Sequence, residues 1–151
     1  DVVASDHCPR KRATKDKSLW LASQGFPGTA TILPVLLHEG YHQRGLSLQR
    51  IAQLVCHSPA RIFGLEHRKG NIAPGLDADL SLVDLNLEKT VNHVDLLSYS
   101  DYSIYDGWTF KGWAVETILR GKTIMKDGQL TGKPGDGQYL FRTNAGSVTA
   151  K

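Results

Sequence analysis

A chain of 151 residues, 40% hydrophobic and 22% charged, is long enough for one core or two small ones and too apolar to be disordered over most of its length. Its 18 basic and 15 acidic residues leave a net charge of +3, which does not describe a nucleic-acid-binding face, and no apolar run has the length of a membrane span. Two cysteines without a repeated pattern suggest neither a disulfide framework nor a zinc module, so a reducing cytoplasm is the expected compartment.

Residues 1–10 read DVVASDHCPR. Val2, Val3 and Ala4 form the apolar run that a parallel strand buried on both faces requires, and it stops abruptly at Ser5, Asp6, His7 and Cys8. In a parallel α/β barrel the C-terminal end of a strand faces the active site, so Asp6 there would point at substrate or metal. Taken alone, an Asp after a short apolar run is more often a cap or turn residue, because its side chain readily bonds nearby backbone amides. There is no initiator Met, and residue 1 falls inside the expected strand, so the chain is expected to be the C-terminal part of a longer protein.

Residues 11–26 read as a long loop, basic at first and aromatic later. The cluster Arg10, Lys11, Arg12, Lys15 and Lys17 is either a solvated loop or an anion-binding mouth. From Gly28 the pattern turns helical: Thr29 can cap, Ile32, Leu33, Leu36 and Leu37 share a face, and Pro34 sits in the first turn or kinks the helix. Gly40 and Gly45 are expected to bracket a short connection. Ser47 then caps a second helix with an apolar stripe from Leu48 to Val55. Ser58-Pro59 opens a third, short helix anchored by Ile62 and Phe63 and closed by Gly64.

After Gly64 the composition shifts to alternating apolar and polar residues. KGNIAPGLDADLSLVD leads through a Pro-Gly turn into a strand, and residues 95–98 could add one helical turn. Trp113, Val115 and residues 117–119, then residues 123–125, flank Arg120-Gly121 as a hairpin, and Asp127-Gly128 turns again. The Gly-, Ser- and Thr-rich end is expected to fray.

Among the histidines, His38 and His42 stand four apart, a spacing that can bind metal on a helix, but Gly40 lies between them and no HExxH pattern forms. His57 is expected to favour a helix C-terminus or to pack, and His67 and His93 to lie at the surface. The Asp6-His7-Cys8 run lacks the second cluster that a structural zinc needs, which leaves Cys8 as a small residue packed beside the site.

In order along the chain, SDHCPR after an apolar strand, GFPGTATILPVLL, HSPARIFGL, GNIAPGLDADLSLVD and YDGWTFKGWAVETILRGKTIMKDGQL resemble the C-terminal part of a cyclic amidohydrolase, the group of dihydroorotases, hydantoinases or dihydropyrimidinases, and allantoinases. The resemblance covers nearly the whole chain. It implies an α/β fold: the last strand, active-site loop and helices of a metal-dependent TIM barrel (residues 1–66), the C-terminal part of a small β-sandwich (residues 67–142) and a flexible tail (residues 143–151). It also implies two divalent ions, usually zinc, held by ligands from several strands. Of those ligands Asp6 alone would lie here, as metal ligand and catalytic base. An anionic oxygen suits both roles, because it can ligate zinc and take a proton from water that the metal acidifies to a pKa of about 7.

For substrate, the resemblance implies a small cyclic amide. Arg10 stands where dihydroorotases carry a His that helps hold the substrate carboxylate, and a guanidinium could bind it bidentately. His7-Cys8-Pro9 is the hydantoinase form, whereas GWTFKGWAVETILRGK and GKPGDGQYLFR lean towards dihydroorotases, so a dihydroorotase-like hydrolase leads, with hydantoinase, dihydropyrimidinase or allantoinase as the alternative. Gln24 and Gly25 occupy the place where the family binds the cyclic amide through backbone groups, Gly25 being suited to close approach; a plain turn before Pro27 is the competing account. Expected partners are a second copy or the missing N-terminal half, with no nucleic acid and no membrane. A reading of another class is a non-catalytic scaffold whose basic loop meets an anionic partner. The other metal ligands, in upstream sequence, would separate the two.

Overall fold

The structure, a computed structural model, describes residues 1–141. The expected flexible tail, residues 143–151, and Arg142 lie outside the described residues. Contacts divide the chain into two compact units that interleave in sequence: Val3–Leu46 with Asp84–Trp113, and Ser47–Val83 with Ala114–Lys151 and the first two residues.

In the first of these units, Thr29–Thr31 form a 3₁₀ turn that leads into α1 (Ile32–Val35) and then a π-helical segment, Leu36–Gln43. Pro34 sits in the first turn of α1, where its missing N–H leaves no bond unmade. Thr29 does not cap; the residue before the 3₁₀ turn is Gly28, and no side chain caps it. Gly40 does not bracket a connection but lies inside the π-helical segment, packed near Leu46, so that only Gly45 turns the chain.

Leu37 and Phe110 are almost wholly buried, and with Val91 they make a small core. The second long strand passes so close to Leu37 that a Cβ at Gly112 would lie 2.7 Å from the Leu37 Cβ, with Gly112 itself at φ +101°. Strand interiors seldom carry glycine; this one does because backbone and helix meet there. Lys111 N donates to His38 Nδ1 (3.2 Å), and His42 Nε2 donates to the Leu85 carbonyl (2.8 Å). The His38 ring also packs against Phe110. The pair at metal-ligand spacing thus ties helix to strands.

In the other unit Ser47 caps as expected, its Oγ accepting from Arg50 N at 3.2 Å. The two expected helices are one continuous stretch: α2 (Leu48–Ala52), a π-helical turn (Gln53–His57) and α3 (Ser58–Ile62). Pro59 supplies no N–H, and the wider turn before it lets the helix continue past the missing donor. His57, exposed inside this stretch, ends no helix. Ile51, Ser58 and Ala60 are buried, while Ile62 and Phe63, expected as anchors, are about half exposed.

Four strands, β1 (Leu80–Thr90), β2 (Thr109–Leu119), β3 (Lys122–Lys126) and β4 (Gln129–Leu130), form one sheet in that order. β2 and β3 pair antiparallel through Arg120-Gly121, and β3 and β4 through Asp127-Gly128. All four turn residues have positive φ, the geometry that matches strand twist in a two-residue hairpin. The expected helical turn is a 3₁₀ turn at His93–Leu96.

The strand expected at residues 1–4 does not form. Residues 1–6 belong to no sheet, and Val2 and Val3 are exposed, because no neighbouring strand among the described residues meets their N–H and C=O groups. The described part is therefore helices with an antiparallel sheet.

Ahead of β1, Asp77 accepts from Arg68 (2.9 Å) and Lys69 (2.7 Å), Lys69 also pairs with Asp79, and Asp79 accepts from Arg120 N at 2.7 Å. Lys69 and Arg68 hold the Asp77 carboxyl below the usual carboxylate range. Its contribution is full above the unfolded value of about 3.9 and is lost as pH falls through the lower native value. Asp77→Asn is expected to lower unfolding stability at pH 7, with a gap from wild type that closes on acidification below about pH 4 in urea titrations; a gap independent of pH would remove the ion pairs from the account. Gly112→Ala is expected to cost about 2 kcal/mol or more, read as a lowered urea midpoint, since strain and overlap with Leu37 add.

Candidate active site

Every candidate site residue lies in the unit formed by Val3–Leu46 and Asp84–Trp113. Asp6 stands at φ +46°, left-handed, in an exposed turn. Its carboxylate has no hydrogen-bond or ion-pair partner among the described residues, so it is not a turn cap. Ser5 fills that role instead, its Oγ accepting from His7 N at 3.2 Å. Unlike Arg120 and Asp127, which are left-handed because a two-residue hairpin requires it, Asp6 takes this conformation outside any hairpin.

Residues 5–8 and 24–29 lie side by side. Cys8 N donates to the Phe26 carbonyl (3.0 Å), and His7 bridges to Phe26 as an isolated parallel pair. Gly28 N and Thr29 N both donate to His7 Nδ1, at 3.0 and 3.2 Å. Gly28 offers no Cβ to Ser5, whose own Cβ would lie 3.1 Å from it. Gly25 has φ +94°, and a Cβ there would fall 2.4 Å from the Cys8 Cβ. The glycine is thus required by half-buried Cys8 and by its own backbone, which is more than a plain turn demands.

Gln24 is exposed; its carbonyl lies 3.9 Å from the Cys8 Sγ. A cavity of about 360 Å³, largely apolar, opens beside this pair of segments and is lined by His7, Pro27, Thr29, Thr31, Leu97 and Ser98.

Arg10 is fixed through its backbone: its N–H donates to buried Ser100 Oγ (2.9 Å), which donates back to the Arg10 carbonyl (2.8 Å). Asp101 accepts from Arg12 N at 2.8 Å, and that bond, with Lys11 nearby, holds its carboxyl below the usual range against the effect of burial. The Arg10 and Arg12 guanidinia make no hydrogen bond among the described residues. Lys15 is committed within the loop, to the Ser23 carbonyl (2.8 Å) and over the Phe26 ring, and Lys11 lies over Tyr99. The loop thus presents its arginines and retains Lys15.

His7, Ser100 and Asp101 are what sequence reasoning missed. His7 carried a signal, standing between the carboxylate and Cys8; Ser100 and Asp101 carried none, because their partners lie about ninety residues away.

Among the described residues no group of three or more His, Cys, Asp or Glu side chains comes together as a metal site. Asp6, exposed, anionic and unpartnered, fits the part of one ligand. No helix among the described residues is long and apolar enough to cross a membrane.

The model of the amidohydrolase family matches residues 2–124. The chain belongs to the amidohydrolase family. Its relatives include a D-phenylhydantoinase of Escherichia coli O1:K1 / APEC, 37% identical over 146 residues, covering 94% of this chain and 32% of the relative. Among solved structures, the D-hydantoinase from Bacillus sp. AR9 superposes with a TM-score of 0.89 at 32% identity, over 94% of this chain and 32% of that one. The L-hydantoinase (dihydropyrimidinase) from Arthrobacter aurescens gives a TM-score of 0.78 at 35% identity, over 82% and 28%. The chain thus spans about a third of the length of these amidohydrolases.

Because Asp6 gains nothing from its left-handed turn, Asp6→Gly is expected to leave stability unchanged or raise it by up to about 1 kcal/mol, strain relief offsetting the freer unfolded chain. A loss well above 1 kcal/mol in urea denaturation would reveal a structural partner for the carboxylate.

Proposed function

We propose that this chain supplies the final strand, active-site loop and C-terminal sandwich segment of a metal-dependent hydrolase that opens a cyclic amide, of the hydantoinase or dihydropyrimidinase type. The observation that carries the reading is the free carboxylate of left-handed Asp6, next to His7, whose ring is bound by Gly28 and Thr29, in a chain whose relatives include hydantoinases. Those names support the hydantoinase alternative over the dihydroorotase reading that led from sequence. Zinc as the ion, the barrel and sandwich boundaries, and a cytoplasmic location belong to the same proposal.

Asp6 would hold one of the divalent ions, which when bound supply Lewis acidity and an activated water. The Asp6 carboxylate takes the proton that the attacking water loses and returns it to the departing amide nitrogen. The backbone at Gln24 and Gly25 holds the ring, which is possible at Gly25 because nothing projects from it. Arg10, its guanidinium free, offers a bidentate site for a carboxylate on the substrate or on the ring-opened product.

The remaining ligands would come from a polypeptide outside this chain, or from the rest of a longer one. Exposed Val2 and Val3, and Trp20 at 91% exposure on the loop tip, support association with that segment or with a second copy.

The test is ring opening of hydantoin, dihydrouracil and dihydroorotate by the chain joined to the polypeptide that completes it. Hydantoin or dihydrouracil should be turned over and Asp6→Ala should lower kcat by about a hundred- to ten-thousand-fold. The chain by itself should be inactive. Preference for dihydroorotate would restore the dihydroorotase reading, and Asp6→Ala with unchanged kcat would remove Asp6 from the chemistry.

A further inference from the structure

His7 is the one imidazole that touches both halves of the candidate site. Backbone N–H groups only donate, so two of them converging on Nδ1 assign the lone pair to that nitrogen and the ring's proton to Nε2. His7 follows Asp6 directly, and Gly28 and Thr29 follow the Gln24-Gly25 backbone at a distance of three to five residues. The bond therefore fixes the spacing between the carboxylate and the loop backbone proposed to hold the ring. The other direct ties between the two segments include the parallel main-chain bridge of His7 with Phe26, in which Cys8 N donates to the Phe26 carbonyl, a long Ser5 Oγ to Thr29 Oγ1 contact at 3.4 Å, and the weak Cys8 Sγ contact.

We propose that His7 is a positioning residue: by accepting from Gly28 and Thr29 through Nδ1, it sets residues 24–29 against the Asp6 turn so that carboxylate and substrate loop meet the substrate in register. The proposal rests on the reading that Asp6 serves a cyclic amide hydrolase, but its structural half can be tested without activity. The role needs an acceptor at the δ position only. Asn places Oδ1 where His has Nδ1, one bond beyond Cγ; Gln carries its oxygen one bond further out, and Ala has none.

The experiment compares wild type with His7→Asn, His7→Gln and His7→Ala. In ¹⁵N spectra of the imidazole rings of the wild type, His7 should show an unprotonated, hydrogen-bonded Nδ1. The Gly28 and Thr29 amides should be protected from exchange in wild type and His7→Asn and exchange at least about ten-fold faster in the other two variants. In the completed enzyme, kcat for hydantoin should fall about ten- to a hundred-fold in His7→Ala and His7→Gln, with little change in KM, and recover in His7→Asn. A protonated Nδ1, amide protection indifferent to the substitutions, or an Asn variant no better than Ala would each overturn the positioning role. Should the wild type open no cyclic amide, the proposed function fails, while the ring spectrum and the exchange rates still decide whether His7 holds the loop.

Discussion

An imidazole nitrogen that receives two main-chain N–H groups must keep its lone pair, and the candidate site depends on that requirement at His7. The bond brings the turn at residues 5–8 against residues 24–29. Once they touch, there is no room for a Cβ at Gly25 beside Cys8, and little at Gly28 beside Ser5. Ser5 then caps the turn, which frees Asp6 from capping it. Each of these features is local, yet they are consistent only if the loop between, residues 9–23, leaves and returns at a fixed separation. Ser100 and Asp101 secure its departure by gripping the Arg10 and Arg12 backbones, and Lys15 secures its return at Ser23. The basic side chains left over are Lys17 and the two arginines, and the arginines are the cations suited to planar anions.

How much of this was legible follows from the range of each interaction. Hairpin turns were readable because Arg120-Gly121 and Asp127-Gly128 encode their own backbone geometry, and Ser47 was readable as a cap because its partner is three residues away. The helices were misdivided for a similar reason: Pro59 and Gly40 are breakers by local rules, but a π-helical turn accommodates the first and a close neighbour, Leu46, the second. Ile62 and Phe63 look like core residues in sequence and are exposed, while Ala60 and Ser58 are buried, because the helix turns its small residues inward. At the site, Asp6 stood out by residue type and position, whereas the partners of Arg10 and the two donors on His7 are set by tertiary contact alone. The strand expected at residues 1–4 fails on different grounds, since a hydrophobic run supplies side chains for a strand but not the neighbours that pair its backbone.

Histidine illustrates how little residue type decides by itself. His38 and His42 have the spacing of a metal pair, and they spend it on strand backbones, one accepting from Lys111 and the other donating to Leu85. His93 pairs with Asp106, whose carboxyl is pressed upward by burial but held below the usual range by the Ser103 and His93 N–H groups. His7 has no such spacing and stands at the candidate centre. What separates it from the others is that its partners belong to the segment that packs beside the Asp6 turn.

The Asp6 turn carries the last step of the argument. Aspartate tolerates a left-handed backbone where a hairpin calls for it, as at Asp127, but Asp6 turns no hairpin, and its carboxylate lacks the N–H that those of Asp101 and Asp106 accept. Asp6 has neither relief, although Ser5, immediately before it, caps the turn in its place. At Asp6 the molecule thus bears a conformational cost outside any hairpin, with neighbours arranged so that the charge stays free. Such an arrangement is economical only when something outside the described residues uses the charge, and a divalent cation shared with other ligands is the use that family membership makes most direct. The same logic reaches the exposed Val2 and Val3 beside it: an apolar run that leads into a free carboxylate is stable when strands pair on either side of it, and the ligands that complete a metal site would arrive on those strands.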